Sequence, residues 1–164
     1  MVLMTQAKLI ADELDRAFRG PAWHGSSLCE LLKGVTLEEA IQRPIPAGHN
    51  IWELVMHVTS WANIATRRIT RGPVAAYDGE DWAPAEDMTA ERWVAIQTAL
   101  RHAHENLRSA VLDLTDERLA ANAPGSEDSV SVLLHGVAQH DAYHGGQIAL
   151  LKKTVVTKHR RAAL

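Results

Sequence analysis

Four long segments of this chain repeat apolar residues at three- and four-residue steps, and no segment sustains the alternation of a half-buried strand. A stripe at that spacing is buried by packing against another helix, so the expected fold is all-α. The first long helix is expected from Val2 to Phe18, with Leu3, Ala7, Ile10, Leu14, Ala17 and Phe18 on its stripe and Gly20-Pro21 after it. A shorter apolar piece covers Leu28, Leu31 and Leu32 and ends at Gly34. Thr36-Leu37-Glu38-Glu39 has the spacing of a capping box for a further turn, closed by Pro44 and Pro46. The second long helix should start at an Asn50 N-cap, with Glu53 reaching back, and run to about Arg71 before Gly72-Pro73. Its inward stripe reads Leu54, His57, Trp61, Ile64 and Ala65.

Residues Val74 to Asp87 lack period and carry Gly79, Pro84 and several acids, which reads as a long surface loop of a kind that is often functional. The third long helix is expected from Thr89 to about Leu114, on Trp93, Ile96, Leu100, Leu107 and Val111. The fourth follows the turn Pro124-Gly125-Ser126 and runs from about Ser129 to Lys153, on Leu133, Val137, His140, His144, Gln147 and Leu151. Together these predict one domain over 1–164. It is an antiparallel four-helix bundle with a short extra helix, a long loop between helices two and three, and a basic tail from about residue 154.

Composition narrows the function classes. The chain has 164 residues, 46% of them hydrophobic and 23% charged, which is ordinary globular usage and argues against disorder or a membrane span. A formal net charge of -3 and the lack of an aromatic-and-arginine stripe make nucleic acid an unexpected partner. The single cysteine, Cys29, cannot form an internal disulfide and reads as a small buried apolar residue. Lys8, Asp12, Glu13, Asp15 and Arg16 interrupt the apolar pattern of the first eighteen residues, unlike a signal peptide, so a cytoplasmic location is expected.

The chemistry is concentrated in His140-Asp141-Ala142-Tyr143-His144-Gly145-Gly146-Gln147. Two imidazoles four residues apart fall on one helix face a turn apart, the spacing that lets both reach one metal ion. His57 stands on the inward stripe of the second helix where a leucine is expected. Alone it would read as a hydrogen-bonded core residue; beside the spaced pair it reads as a third ligand. Two adjacent glycines in a helix interior cost about 1 kcal/mol each, so Gly145 and Gly146 point to close approach of a helix or a ligand.

These stretches, with Gly48-His49-Asn50-Ile51-Trp52-Glu53-Leu54-Val55-Met56-His57-Val58 and Trp61, resemble the DinB/YfiT-like family of small four-helix-bundle metalloproteins. The resemblance spans nearly the whole chain in the order and spacing of helices, and its distinctive part is the histidine pair followed by Gly-Gln. It implies a divalent metal, zinc or nickel first and iron as a further option, held by His57, His140 and His144. It also implies a homodimer, and possible use of a low-molecular-weight thiol, since some relatives are thiol S-transferases. Asn50 stands where many relatives have serine, a change of cap that leaves the metal site untouched.

Three neutral imidazoles leave a coordination position open, as in a catalytic rather than a closed structural site. The expected function is therefore a metal-dependent S-transferase or hydrolase acting on a small molecule. The competing reading is a non-catalytic bundle in which the ion ties two helices together. Two further residues are candidates for catalytic roles. Glu53, one turn before His57, is read first as the capping-box acid and second as an acceptor for the ring N–H of His57. Gln147, one turn beyond His144, would touch a substrate or a water, or else form an interhelical hydrogen bond. His102 and His104, two apart, are expected to face solvent, Asp141 and Tyr143 to point away from the ion, and His49 to be a solvated loop residue. Trp52, Trp61 and Trp93 are expected in the core, and Trp82 over a pocket.

Overall fold

A computed structural model describes residues 4–72 and 81–162, with the side chains of the last helix described as far as Thr154. Seven helices are present among them: α1 (Gln6–Arg19), α2 (Leu28–Leu32), α3 (Leu37–Ile41), α4 (Ile51–Arg71), α5 (Ala90–Leu112), α6 (Asp116–Ala120) and α7 (Val130–Ala162). Strands are absent among the described residues, and no helix there is long and apolar enough to cross a membrane. The helix starts are written in short polar side chains. Thr5, Ser27, Thr36, Asn50, Thr89 and Thr115 each accept a hydrogen bond from an amide of the first turn, and Ser27, Thr36 and Asn50 complete capping boxes with Glu30, Glu39 and Glu53.

The four long helices α1, α4, α5 and α7 form the expected bundle, each packed on two others around a ring in the order α1, α5, α4, α7. Ion pairs set the register on one seam, where Arg19 meets Glu105 and Asp15 meets Arg108, so α1 and α5 run antiparallel. Trp52 stacks on Trp93 at 5.7 Å between ring centroids, which puts the starts of α4 and α5 at the same end. The bundle is thus antiparallel across α1/α5 and α4/α7 and parallel across α4/α5. That arrangement explains the long connection after α4. Helix α4 ends about 30 Å from where it began, and the chain must return that distance before α5 can start. The loop expected over Val74–Asp87 lies partly outside the described residues, but Asp81 and Trp82 at its later part come back beside α4.

Two apolar clusters fill the bundle. One, around Ile10, Leu14, Ala65, Leu107, Val111 and Leu134, joins the start of α1 to the end of α4. The other, around Phe18, Leu28, Trp52, Leu54, Trp93 and Ile148, fills the opposite end. Trp93 Nε1 donates to the carbonyl of Val35 at 2.9 Å, tying the short α2–α3 segment to α5. The polar residues His57, His104 and Asp141 are buried where the two clusters meet.

Several expectations change. Helix α7 continues to Ala162 rather than stopping near Lys153, and α6, capped by Thr115, was not foreseen. The predicted stripe of α7 holds at Val137, His144 and Leu151, which are buried, and is incomplete elsewhere. Val130, Leu134, Val137, Asp141 and Ile148 are buried, while Leu133, His140 and Gln147 are only partly so. Leu134, Asp141 and Ile148 widen the buried face beyond the predicted line. The glycine pair divides. A Cβ on Gly145 would lie 3.4 Å from Leu31 Cδ1, so α2 makes the expected close approach there, whereas a Cβ on Gly146 would meet nothing within 4 Å. Gly146→Ala is therefore expected to raise stability by about 0.5–1 kcal/mol in urea unfolding, since it removes a helix-interior glycine at no steric cost. A loss of stability would show that Gly146 has a neighbour in solution.

Candidate metal centre

His57 on α4 and His140 and His144 on α7 meet. Their Nε2 atoms converge, with His140 Nε2 2.9 Å from that of His57 and 3.1 Å from that of His144. The three candidate ligand atoms all lie within 4.8 Å of one another. His57 and His144 are buried, and His140 lies half-buried at the edge of the core.

The outer nitrogens decide which way the lone pairs face. His57 Nδ1 lies 2.8 Å from the carbonyl oxygen of Asp81 and 3.1 Å from its carboxylate, both acceptors, so Nδ1 carries the hydrogen. His144 Nδ1 lies 2.8 Å from Gln147 Oε1, and it donates likewise. Both rings then present Nε2 lone pairs to His140 Nε2, and one hydrogen on that atom can satisfy only one of them. A shared cation satisfies all three, because imidazole–metal bonds of about 2.0–2.1 Å hold such nitrogens roughly 3 Å apart. The donor set therefore fits a divalent ion, and its all-nitrogen character accommodates zinc, nickel or iron. His140 Nδ1 is buried and has no hydrogen-bond partner among the described residues.

Charge works in the same direction. Burial, together with the neighbouring His144 and His57 rings, pushes the His140 pKa down to about 4. His144 is also lowered, chiefly by burial and against the pull of its bond to Gln147. Both shifts favour the neutral imidazole, the form that ligates. The sign for stability follows from linkage. The unfolded ring, with its ordinary pKa near 6.5, takes up a proton before the folded one does, so the metal-free protein should lose stability as pH falls from about 6.5 towards 4. Above that window His140 contributes no slope. A series of thermal melts should show this decline for the metal-free wild type and a shallower one for His140→Gln; parallel curves would remove His140 as its source.

The chain belongs to the DinB superfamily. The family model of that name matches residues 8–148, most of the chain, and takes in all three histidines. No curated protein and no solved structure matches the chain. In this DinB-superfamily bundle both candidate catalytic residues are held by hydrogen bonds to neighbours. Glu53 accepts from the Asn50 amide at 3.1 Å and interacts with Arg43 and His49, but it does not serve His57, whose Nδ1 is taken by Asp81. Burial tends to raise the Glu53 pKa, and Arg43, the Asn50 amide and His49 outweigh it and hold the carboxyl below its usual value. Gln147 accepts from His144 Nδ1 at 2.8 Å and so fixes that ring within its own helix. Partners of this kind are worth about 10–100-fold in metal affinity. Gln147→Leu should weaken zinc binding by that factor in a chelator competition, and an unchanged affinity would make the contact incidental.

The aromatic wall joins Trp82, expected over a pocket, to His49, expected as a solvated loop residue. Trp82 stacks on His57 at 3.9 Å between centroids and on His49 at 3.6 Å, so its indole is held between two imidazoles. His49 is thereby part of the site's surroundings rather than a free loop residue. Trp61, expected in the core, is partly exposed and donates from Nε1 to Asp81 at 2.7 Å. Asp81 was legible only as one of several acids in an aperiodic segment. His104, expected at the surface, is 5% exposed; it stacks on Phe18 at 3.9 Å and bonds Asp141 at 3.0 Å. Tyr143 and His102 are exposed as expected, and Cys29 is half-buried with its thiol pKa raised by burial, the opposite of an activated nucleophile.

Beside the triad opens a groove of about 450 Å³ between α4 and the first turns of α7. His57 and His140 stand at one end, and Trp61, Val132, Leu133 and Val137 form its walls.

Proposed function

We propose that this protein is a metal-dependent enzyme, a transferase or hydrolase acting on a small molecule at the His57–His140–His144 centre. The observation that carries this reading is the convergence of three Nε2 lone pairs at the end of an open groove. A divalent ion held there would supply a Lewis acid able to lower the pKa of a water or a thiol and so activate it as a nucleophile. The protein's own residues prepare the site. Asp81 and Gln147 fix the ring orientations of His57 and His144, Trp82 covers one face of His57, and the groove leaves room for a ligand on the other side. A low-molecular-weight thiol as cosubstrate belongs to the same reading.

A catalytic site is favoured over a purely structural ion because both apolar clusters close without the histidines. The test uses cobalt-loaded protein titrated with azide and with 2-mercaptoethanol, followed by visible absorption, beside chelator-stripped protein followed by circular dichroism. Spectral changes with either ligand, and a helical fold retained after stripping, are expected. Collapse of the fold on stripping, with no spectral response in the loaded form, would instead assign the ion a structural role.

A further inference from the structure

The walls of the groove carry a charge pattern that the metal centre does not explain. Apart from the histidine end, its lining among the described residues is apolar except for two carboxylates, Asp81 and Asp128, with no lysine or arginine. Asp81 is engaged by His57 and Trp61. Asp128 lies just ahead of α7, and its carboxylate has no hydrogen-bond or ion-pair partner among the described residues, although its backbone is fixed on both sides. Its carbonyl accepts from the Ala123 amide at 2.7 Å, and its own amide donates to Ser126 Oγ at 3.1 Å. The start of α7 would ordinarily attract an anion. Here the Val130 amide is taken by the Ala121 carbonyl and the Val132 amide by Ser129 Oγ.

We infer that the groove takes an extended small molecule with an apolar body and a cationic, amine-type end, seated with that end at Asp128 and its reactive end at the histidines. The inference rests on the small-molecule reading above and names the ligand class for that site. From Val130 to His140 the helix rises about 15 Å, the reach of a chain of roughly eight to ten carbons with a polar group at each end. Trp61, Leu133 and Val137 flank that path. An ion at the triad repels the ammonium end and so reinforces the orientation. A ligand carrying a carboxylate along the groove finds no cationic side chain among the described residues to receive it.

The test uses metal-free protein, so that no ligand group can bind an ion. Octylammonium, octan-1-ol and octanoate are titrated separately, and amide shifts of Val132 and Gly136 are followed by nuclear magnetic resonance. Octylammonium should bind about threefold more tightly than octan-1-ol and about fivefold more tightly than octanoate, the scale of one exposed ion pair. Asp128→Asn, an exposed substitution, should bring the three within about twofold. Equal or tighter binding of octanoate, a preference that survives in Asp128→Asn, or shifts that map outside the groove would overturn the inference. The two readings can fail separately. Zinc bound by the wild type with no ammonium preference defeats this inference alone, and the ammonium preference in a protein that takes up no zinc defeats the metal reading alone.

Discussion

Asp141→Ala should lower the unfolding free energy by about 3–5 kcal/mol, the scale of breaking a buried pair by removing one partner. Asp141 is 1% exposed, and its Oδ2 lies 3.0 Å from His104 Nε2. His104 Nδ1 lies 3.0 Å from the carbonyl of Leu100, so both ring nitrogens face acceptors and the ring is stacked on Phe18. Without the carboxylate, His104 Nε2 is left buried with no partner. For a domain of this length the melting temperature should fall by on the order of 10 °C. The double variant His104→Leu/Asp141→Leu should recover much of the loss, because it removes both polar partners and leaves apolar volume. Urea unfolding followed by circular dichroism measures both. A cost under about 1 kcal/mol for Asp141→Ala would mean that the pair is not desolvated in solution.

The second large effect is on metal affinity. His57 is the only member of the triad contributed by α4, while His140 and His144 come from consecutive turns of α7. Removing it leaves a two-nitrogen site on one helix and cuts the link between helices. His57→Ala should therefore weaken zinc binding by more than about 100-fold, beyond the 10–100-fold of an outer partner such as Gln147. Competition with a chromophoric chelator at neutral pH gives the number. Its fold should survive, since His57 touches the edge of both apolar clusters rather than filling either. An affinity within about threefold of wild type would exclude His57 as a ligand.

Much of this was legible in the sequence because the bundle obeys local rules. Asn50 and Glu53 announce the start of α4, Gly72 follows its end, and the i, i+4 spacing of His140 and His144 puts both on one face. What escaped was information that only packing supplies. Asp81 and Trp82 lie in a segment with no period, and their place beside His57 follows from the return of the chain along the bundle. His104 was misread against its neighbour His102. The signal was present in the stripe itself: between Leu100 and Leu107 a core position must fall at 103 or 104, and Ala103 and His104 are both buried. Asp141 was missed for a related reason: a line drawn through Val137, His140 and His144 leaves out Leu134, Asp141 and Ile148, which are buried beside it.

The most direct test of the metal centre is the metal content of protein purified without an affinity tag, measured by inductively coupled plasma mass spectrometry for wild type and His144→Ala side by side. About one divalent ion per chain in the wild type and little in the variant is the expected result. Equal and negligible metal in both, persisting after incubation with zinc, nickel and iron, would contradict it and leave the three histidines as hydrogen-bonded residues at the edge of the core.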